Sequence, residues 1–209
     1  MITHETGRGH DAELPLVYLA RHGETQWSRT GQHTGRTDLP LTDRGIAAAR
    51  ALGARLRSLH VERVFTSPLL RARQTCELAG FNPVAKIDAD LLEWDYGAYE
   101  GRRTADIVLE RPGWELFRDG SPEGESPQNI LHRADRLIER LRCLDAPVLL
   151  FSSGHILRAI AVRWLSLPLS VGAQLQLGTA SLSRLGYGHD RTEPALHLWN
   201  DTSHLERSK

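Results

Sequence analysis

A three-layer α/β/α sandwich around a mostly parallel sheet is the fold class this sequence predicts. Short apolar runs of strand-forming residues, Leu16 to Ala20, Val61 to Thr66 and Val148 to Phe151, alternate with stretches whose apolar residues recur at helical spacing. The intervals between runs are long enough for the helical crossovers that parallel strands require. With 209 residues and 40% hydrophobic content, the chain can bury a core without a disulfide or metal staple.

Each element has its own signal. Leu16-Val17-Tyr18-Leu19-Ala20 reads as a buried strand that delivers Arg21-His22-Gly23 at its C-terminal end. Thr42 has the chemistry of an N-cap, and Ile46, Ala49, Leu52, Gly53, Leu56 and Leu59 follow it along one helical face. A second strand spans Val61 to Thr66. Ser67-Pro68 is expected to cap and open a helix over 68–79, closed by Gly80. A short strand is expected near Val84 to Ile87. Pro112-Gly113 and the stretch Gly120 to Gly124 break residues 102–125 into two short helical pieces. Ser126-Pro127 opens the clearest helix, with Ile130, Ala134, Leu137 and Leu141 on one face. Val148 to Phe151 is the most apolar strand and leads through Ser152-Ser153-Gly154-His155 into a helix ending near Leu165. Strands near Ala180 to Leu185 and Ala195 to Trp199 extend the sheet. Residues 1–14 and 202–209 are expected to be flexible, flanking one domain over 15–201 with a small cap insertion at about 102–126.

Charge and cysteine usage narrow the function. Lys plus Arg equals Asp plus Glu at 26 each, so neither a nucleic-acid nor a membrane partner has an electrostatic basis. No run approaches the ~20 apolar residues of a membrane span. Cys76 and Cys143 stand far apart with no CxxC spacing, which reads as two buried, reduced thiols and a cytoplasmic location. No HExxH pattern is present and no GxxxxGK[ST] loop, so neither a metal site nor a nucleotide-cradling loop is expected.

Arg21-His22-Gly23-Glu24-Thr25 is the sharpest chemical signal. A phosphoryl group presents charged oxygens that a planar guanidinium grips in pairs, and a neutral imidazole supplies a lone pair near neutral pH. In a parallel sheet, ligands bind beyond the strand C-termini. His22 and His155 both follow strands and are expected to share one crevice.

Four blocks in order carry a resemblance: Arg21 to Thr25 with Trp27, Ser67 to Thr75, Leu92 to Gly101, and Ser153-Gly154-His155. Together the chain resembles the histidine phosphatase superfamily, which includes the cofactor-dependent phosphoglycerate mutases, and within it the acid phosphatase and sugar-bisphosphatase branch. The resemblance implies a phosphoglycerate mutase-like fold and a metal-independent phosphomonoesterase that acts on a small phosphate ester without a cofactor. It implies His22 as the nucleophile, Arg21 and Arg71 as holders of the phosphoryl oxygens, and His155 as a third cationic or hydrogen-bonding partner. Glu93 becomes the proton donor and then the base that activates water. A carboxyl group serves in that way where its surroundings favour the neutral form, and Trp94 and Tyr96 offer apolar surface beside it. Ser28, Thr34, Gly35 and Tyr96 fall where family members contact substrate. A homodimer is a family expectation.

Two other functions compete. Mutases carry basic residues directly after the catalytic Glu and a Lys further on; here Trp94 and Asp95 follow Glu93, and Thr104 stands near the Lys position. Ser153 stands where many relatives have another His. A non-catalytic phosphate-binding domain is disfavoured because both His22 and Glu93 are present.

Overall fold

The structure, a computed structural model, describes residues 14–205, so the expectations for residues 1–13 and 206–209 lie outside the described residues. The elements run β1 (Val17–Arg21), α1 (Gln26–Thr30), α2 (Asp43–Leu56), β2 (Arg63–Thr66), α3 (Leu70–Leu78) and β3 (Ala85–Ile87). They continue with α4 (Thr104–Glu110), α5 (Leu116–Asp119), α6 (Pro127–Arg142), β4 (Val148–Ser152), α7 (Gly154–Trp164), β5 (Leu182–Tyr187) and β6 (Pro194–Asp201).

The six strands form one sheet in the order β3-β2-β4-β1-β5-β6. The pairings β1 with β4, β2 with β4 and β2 with β3 are parallel; β5 joins β1, and β6 joins β5, antiparallel. Antiparallel pairing of the two late strands follows from their short connection, which leaves no room for a crossover helix.

Alternation along β1 and β4 splits the core into two layers. Val17, Leu19, Val148 and Leu150 face one side and pack with Ile130, Ala134 and Leu137 of α6 and Ile156 and Ile160 of α7. Tyr18, Ala20, Leu149 and Phe151 face the other and meet Leu52 and Leu56 of α2 and Cys76 of α3. Each fully buried Leu in these layers contributes about 2 kcal/mol of transfer free energy. The helices that carry them are capped as their sequences demand. The Thr42 side chain accepts from Gly45 N at 3.1 Å, and Ser126 and Asn129 form a reciprocal capping box with Pro127 in the first turn.

Three local expectations differ. Helix α3 starts at Leu70 with no side-chain cap, because the Ser67 hydroxyl is buried and accepts only from Leu69 N at 3.4 Å. Cys76 is buried but Cys143 is exposed; it caps α6 two positions past Leu141, on the side opposite the buried stripe. Ser203–Leu205 closes a 3₁₀ turn, and His204 Nε2 lies 2.9 Å from Ala180 O. Among the described residues, no helix is long and apolar enough to cross a membrane.

Candidate active site

The register brings the chemistry to the C-terminal ends of the two central strands. Arg21 lies opposite Ser152 in the β1–β4 pairing, so His22 and the Ser153-Gly154-His155 turn leave the sheet side by side. His22 N donates to Ser152 O at 2.9 Å, and His22 O accepts from Ala180 N at 2.9 Å. On the far side of β4, the chain after β2 enters α3 and delivers Arg71.

His22 is 4% exposed, and its Nδ1 lies 2.7 Å from Gly23 O. A carbonyl only accepts, so Nδ1 carries the proton and Nε2 holds the lone pair. Burial first, then the Arg71 and Arg21 guanidiniums, hold the imidazole pKa well below its ordinary value. The ring is therefore neutral and oriented at neutral pH.

Gly23 fixes this loop against α2. A Cβ at Gly23 would stand 2.5 Å from Gly45 O, and one at Gly45 would stand 2.1 Å from Glu24 O. Neither position tolerates a side chain. Gly23 N also donates to Thr75 Oγ1 at 3.0 Å, which ties the loop to α3.

Glu93 lies over the N-terminus of α7. Its Oε1 accepts from Ile156 N at 2.9 Å and Trp94 N at 3.0 Å, and its Oε2 accepts from His155 N at 3.0 Å. Of the two aromatic neighbours expected, Tyr96 shares the cleft lining with Glu93 and Trp94 does not. Trp94 turns away, donating from Nε1 to Glu125 O at 2.9 Å and packing edge-on against Phe117. Arg133 secures the same segment, donating to Asp90 O, Leu92 O and Glu93 O and pairing with Glu125 at 2.7 Å.

The two arginines of the site differ. Arg21 donates from one terminal nitrogen to Leu177 O, while its buried Nε has no partner. Arg71 is fully buried and makes four bonds: to Ser153 Oγ at 3.2 Å, Thr37 O at 3.1 Å, Thr34 O at 2.8 Å and Gly35 O at 3.1 Å. Ser153 thus holds Arg71, and Arg71 in turn holds the loop at 34–37.

Of the remaining sequence-selected residues, Ser28, Thr34 and Tyr96 line a cleft of about 220 Å³ together with Arg21, His22, Glu93 and His155. Ser28 is already committed, closing the α1 capping box with Thr25. Gly35 stands outside the cleft lining: its N–H points at the Glu100 carboxylate at 2.9 Å, and a Cβ there would stand 2.6 Å from Trp94 O. It is a close-packing position rather than a substrate contact. Tyr96 Oη lies 2.6 Å from His155 Nδ1. Burial raises the phenol pKa well above its ordinary value, so Tyr96 keeps its proton and donates it. Burial lowers the His155 pKa well below the usual range, and Arg158 and His33 add to the shift. His155 is therefore a neutral hydrogen-bonding partner, not a cation, and it presents Nε2–H to the cleft.

A model of the histidine phosphatase superfamily, branch 1, matches residues 17–202. The chain belongs to that family. It is 40% identical to an acid phosphatase of Mycobacterium tuberculosis over 83% of this chain and 87% of that protein. It is 36% identical to the sedoheptulose 1,7-bisphosphatase of Saccharomyces cerevisiae over 73% of this chain and 68% of that one. A probable phosphoglycerate mutase of Klebsiella pneumoniae matches at 36% over 82% and 84%. Among solved structures, a functionally characterised open reading frame of M. tuberculosis superposes with a TM-score of 0.85 at 37% identity, covering 89% of this chain and 97% of that one. As a histidine phosphatase, the chain is an enzyme, and phosphatase is its class.

Sequence reasoning set aside several residues that this cleft recruits. His33, which no motif of the sequence singles out, is 7% exposed and lines the cleft, with its ring 4.6 Å from that of Tyr96. Burial lowers its pKa to about 4. Arg158, Gln176 and Thr104 also line the cleft. Arg158 could have been found: it lies three residues after His155, on the same face of a helix that starts at the strand end. Gln176 and Thr104 come from a loop and the cap, where no period marks them. Among the described residues, no group of three His, Cys, Asp or Glu is placed to hold a metal ion.

Proposed function

We propose that this histidine phosphatase is a metal-independent phosphomonoesterase that hydrolyses a small phosphorylated metabolite, a sugar phosphate or bisphosphate, through a phosphohistidine on His22. The observation that carries the reading is the Nδ1–H bond to Gly23 O, which leaves Nε2 as an aligned lone pair beside Arg21. In the first step the Nε2 lone pair bonds to phosphorus while the ester P–O bond breaks. The Glu93 carboxyl group gives its proton to the leaving oxygen. In the second step Glu93 takes a proton from water, the water oxygen bonds to phosphorus, the P–N bond breaks and His22 returns neutral. Arg21 and His155 Nε2–H offset charge on the transferred oxygens, and Arg71 adds its positive field from behind the loop at 34–37, which is most of what phosphoryl transfer asks of a protein. The names of the acid phosphatase and sedoheptulose bisphosphatase relatives support this substrate class. A cytoplasmic location fits the two unpaired cysteines.

The test is release of p-nitrophenol from p-nitrophenyl phosphate in excess EDTA, with acid-quenched enzyme examined by mass for a phosphoryl group on His22. Turnover that depends on added metal, or a phosphoryl group elsewhere, sinks the reading. The mutase-named relatives supply the second reading, an isomerase. Asp95, where mutases have a basic residue, pairs with Arg36 at 3.1 Å and does not line the cleft. Rapid interconversion of phosphoglycerates in a coupled assay would favour it.

A further inference from the structure

Residues 175–181, the loop before β5, form neither helix nor strand, yet they meet the reacting groups at three points. Leu177 O accepts from the Arg21 guanidinium, Ala180 N donates to His22 O at 2.9 Å, and Ser181 O accepts from Arg21 N at 3.2 Å. Among the described residues, Leu177 O is the one acceptor bonded to the Arg21 guanidinium, whose buried Nε has no partner. Arg71, by contrast, bonds to Ser153 Oγ and three carbonyls. The aim of Arg21 therefore depends on where an irregular loop holds a single carbonyl.

That loop is held by the last strand and the turn after it. Trp199 Nε1 donates to Gln176 O at 2.7 Å, Asn200 Oδ1 accepts from Gly178 N at 2.7 Å, and His204 Nε2 donates to Ala180 O at 2.9 Å. The Gly178 N–H and the Leu177 carbonyl belong to one planar, trans peptide unit and point to opposite sides of it. Asn200 and Arg21 thus grip the two edges of the same rigid plate. The backbone is shaped for this grip. Between the pairs Leu182–Asp201 and Arg184–Leu198, two steps along β5 face three along β6, so β6 carries a bulge. Asn200 sits in the bulge at φ 57°, a left-handed conformation that Asn adopts more readily than most residues. Ala180 is left-handed too, at φ 54°, where its Cβ is disfavoured and neighbouring bonds must hold it. Those bonds run to His22 O on one side and from His204 on the other.

We propose that Asn200 is a positioning residue for phosphoryl transfer, with His204 as its support: together they hold the loop whose Leu177 carbonyl aims Arg21. This deepens the phosphomonoesterase reading and rests on it. Neither side chain lines the cleft, so both act through the loop and not on the substrate. Asn200 sets the tilt of the 177–178 peptide plane, and the carbonyl on its other edge sets the guanidinium. His204 keeps Ala180 in its left-handed turn, which keeps the Ala180 N–H on His22 O. The turn under His204 is anchored in its own right, with Ser203 N on Asp201 Oδ1 at 3.0 Å and Asp201 paired with Arg55 of α2 at 3.5 Å.

The experiment measures kcat/KM for p-nitrophenyl phosphate at a temperature where circular dichroism shows each variant folded. Asn200→Gly tolerates the left-handed backbone and removes only the amide; it is expected to lower kcat/KM by about 10- to 100-fold. Asn200→Asp keeps an acceptor for Gly178 N and should stay within about threefold of wild type. His204→Ala is expected to cost about five- to tenfold, and His204→Gln, which can still donate to Ala180 O, to recover most of it. A double-mutant cycle separates aim from general support. If Asn200 acts through Arg21, adding Asn200→Gly to Arg21→Lys should cost less than about threefold more, because the group being aimed is already gone. The proposal is overturned if Asn200→Gly and His204→Ala both keep wild-type kcat/KM, or if the Asn200→Gly loss is undiminished on the Arg21→Lys background. Should Asn200→Gly fail to fold, the His204 pair decides: equal activity in His204→Ala and wild type overturns the proposal. A wild-type enzyme that does not turn over p-nitrophenyl phosphate sinks the phosphomonoesterase reading itself, and the positioning role with it.

Discussion

The floor of the cleft and its outer wall are held in different ways. On the floor, main-chain groups do the work: Gly23 O orients His22, and three N–H groups orient Glu93. On the wall, side chains hold side chains. Tyr96 fixes His155, His33 stacks on Tyr96, and Phe117 carries Arg158. Main-chain contacts survive almost any exchange of neighbouring side chains, so the floor keeps one geometry while the wall can be rebuilt.

Breaking the floor gives the largest effects. His22→Ala removes the proposed nucleophile and is expected to lower kcat for p-nitrophenyl phosphate by at least about a thousandfold, read by steady-state release of nitrophenol. Glu93→Gln keeps the shape but cannot pass a proton. It should cost about 10²- to 10⁴-fold on an alkyl phosphate, and less on p-nitrophenyl phosphate, whose leaving group departs without one. Equal losses on both substrates would remove Glu93 from the acid role. Arg133→Met strikes the support beneath Glu93 and leaves the Glu125 carboxylate only the Asp95 N–H. Loss of one partner from a buried pair predicts about 3–5 kcal/mol of lost stability in urea denaturation.

The wall is expected to answer to pH. His33 has a folded pKa of about 4 against an ordinary 6.5, so its neutral form stabilises the fold. That contribution is fully present above the unfolded value and is lost as pH falls from 6.5 towards 4. His33→Gln should remove about 2–3 kcal/mol of the acid-induced loss between those limits, measured as the difference between variant and wild-type stability across pH. An unchanged pH slope would show that His33 is not buried neutral. The smallest effect belongs to the rim. Arg36 pairs with Asp95 where both are substantially exposed, so Arg36→Ala should cost less than about 1 kcal/mol.

The sequence told these two regions apart only in part. The apolar run along Val17 to Ala20 and the helical spacing along Ile130 to Leu141 were readable because the strand is buried on both faces and the helix faces one uniform core. Arg21, His22, Glu93 and His155 were readable through their contiguous blocks, and all four line one cleft. Gly35 was misread because its position in a substrate loop says nothing of the Glu100 carboxylate that takes its N–H from 65 residues away. His33 was not singled out because burial beside Tyr96 and Trp114 is a tertiary fact, with no local spacing to announce it. Tyr96 was placed at the cleft, but its bond to His155 spans 59 residues and has no sequence signature. Arg71, expected at the phosphoryl oxygens, is fully buried outside the cleft lining, and its ties to three carbonyls of the loop have no sequence signature.

The interlocked glycines at 23 and 45 have a consequence for how such a protein can change over time. A Cβ at Gly23 would meet Gly45 O and a Cβ at Gly45 would meet Glu24 O, so replacement at either one alone would push the opening turn of α2 against the loop that carries His22. A helix that carries no chemistry is thus answerable for the aim of the imidazole. Drift at residue 45 would be policed as strictly as drift at the reacting centre, though nothing about a glycine one turn into an amphipathic helix advertises the debt.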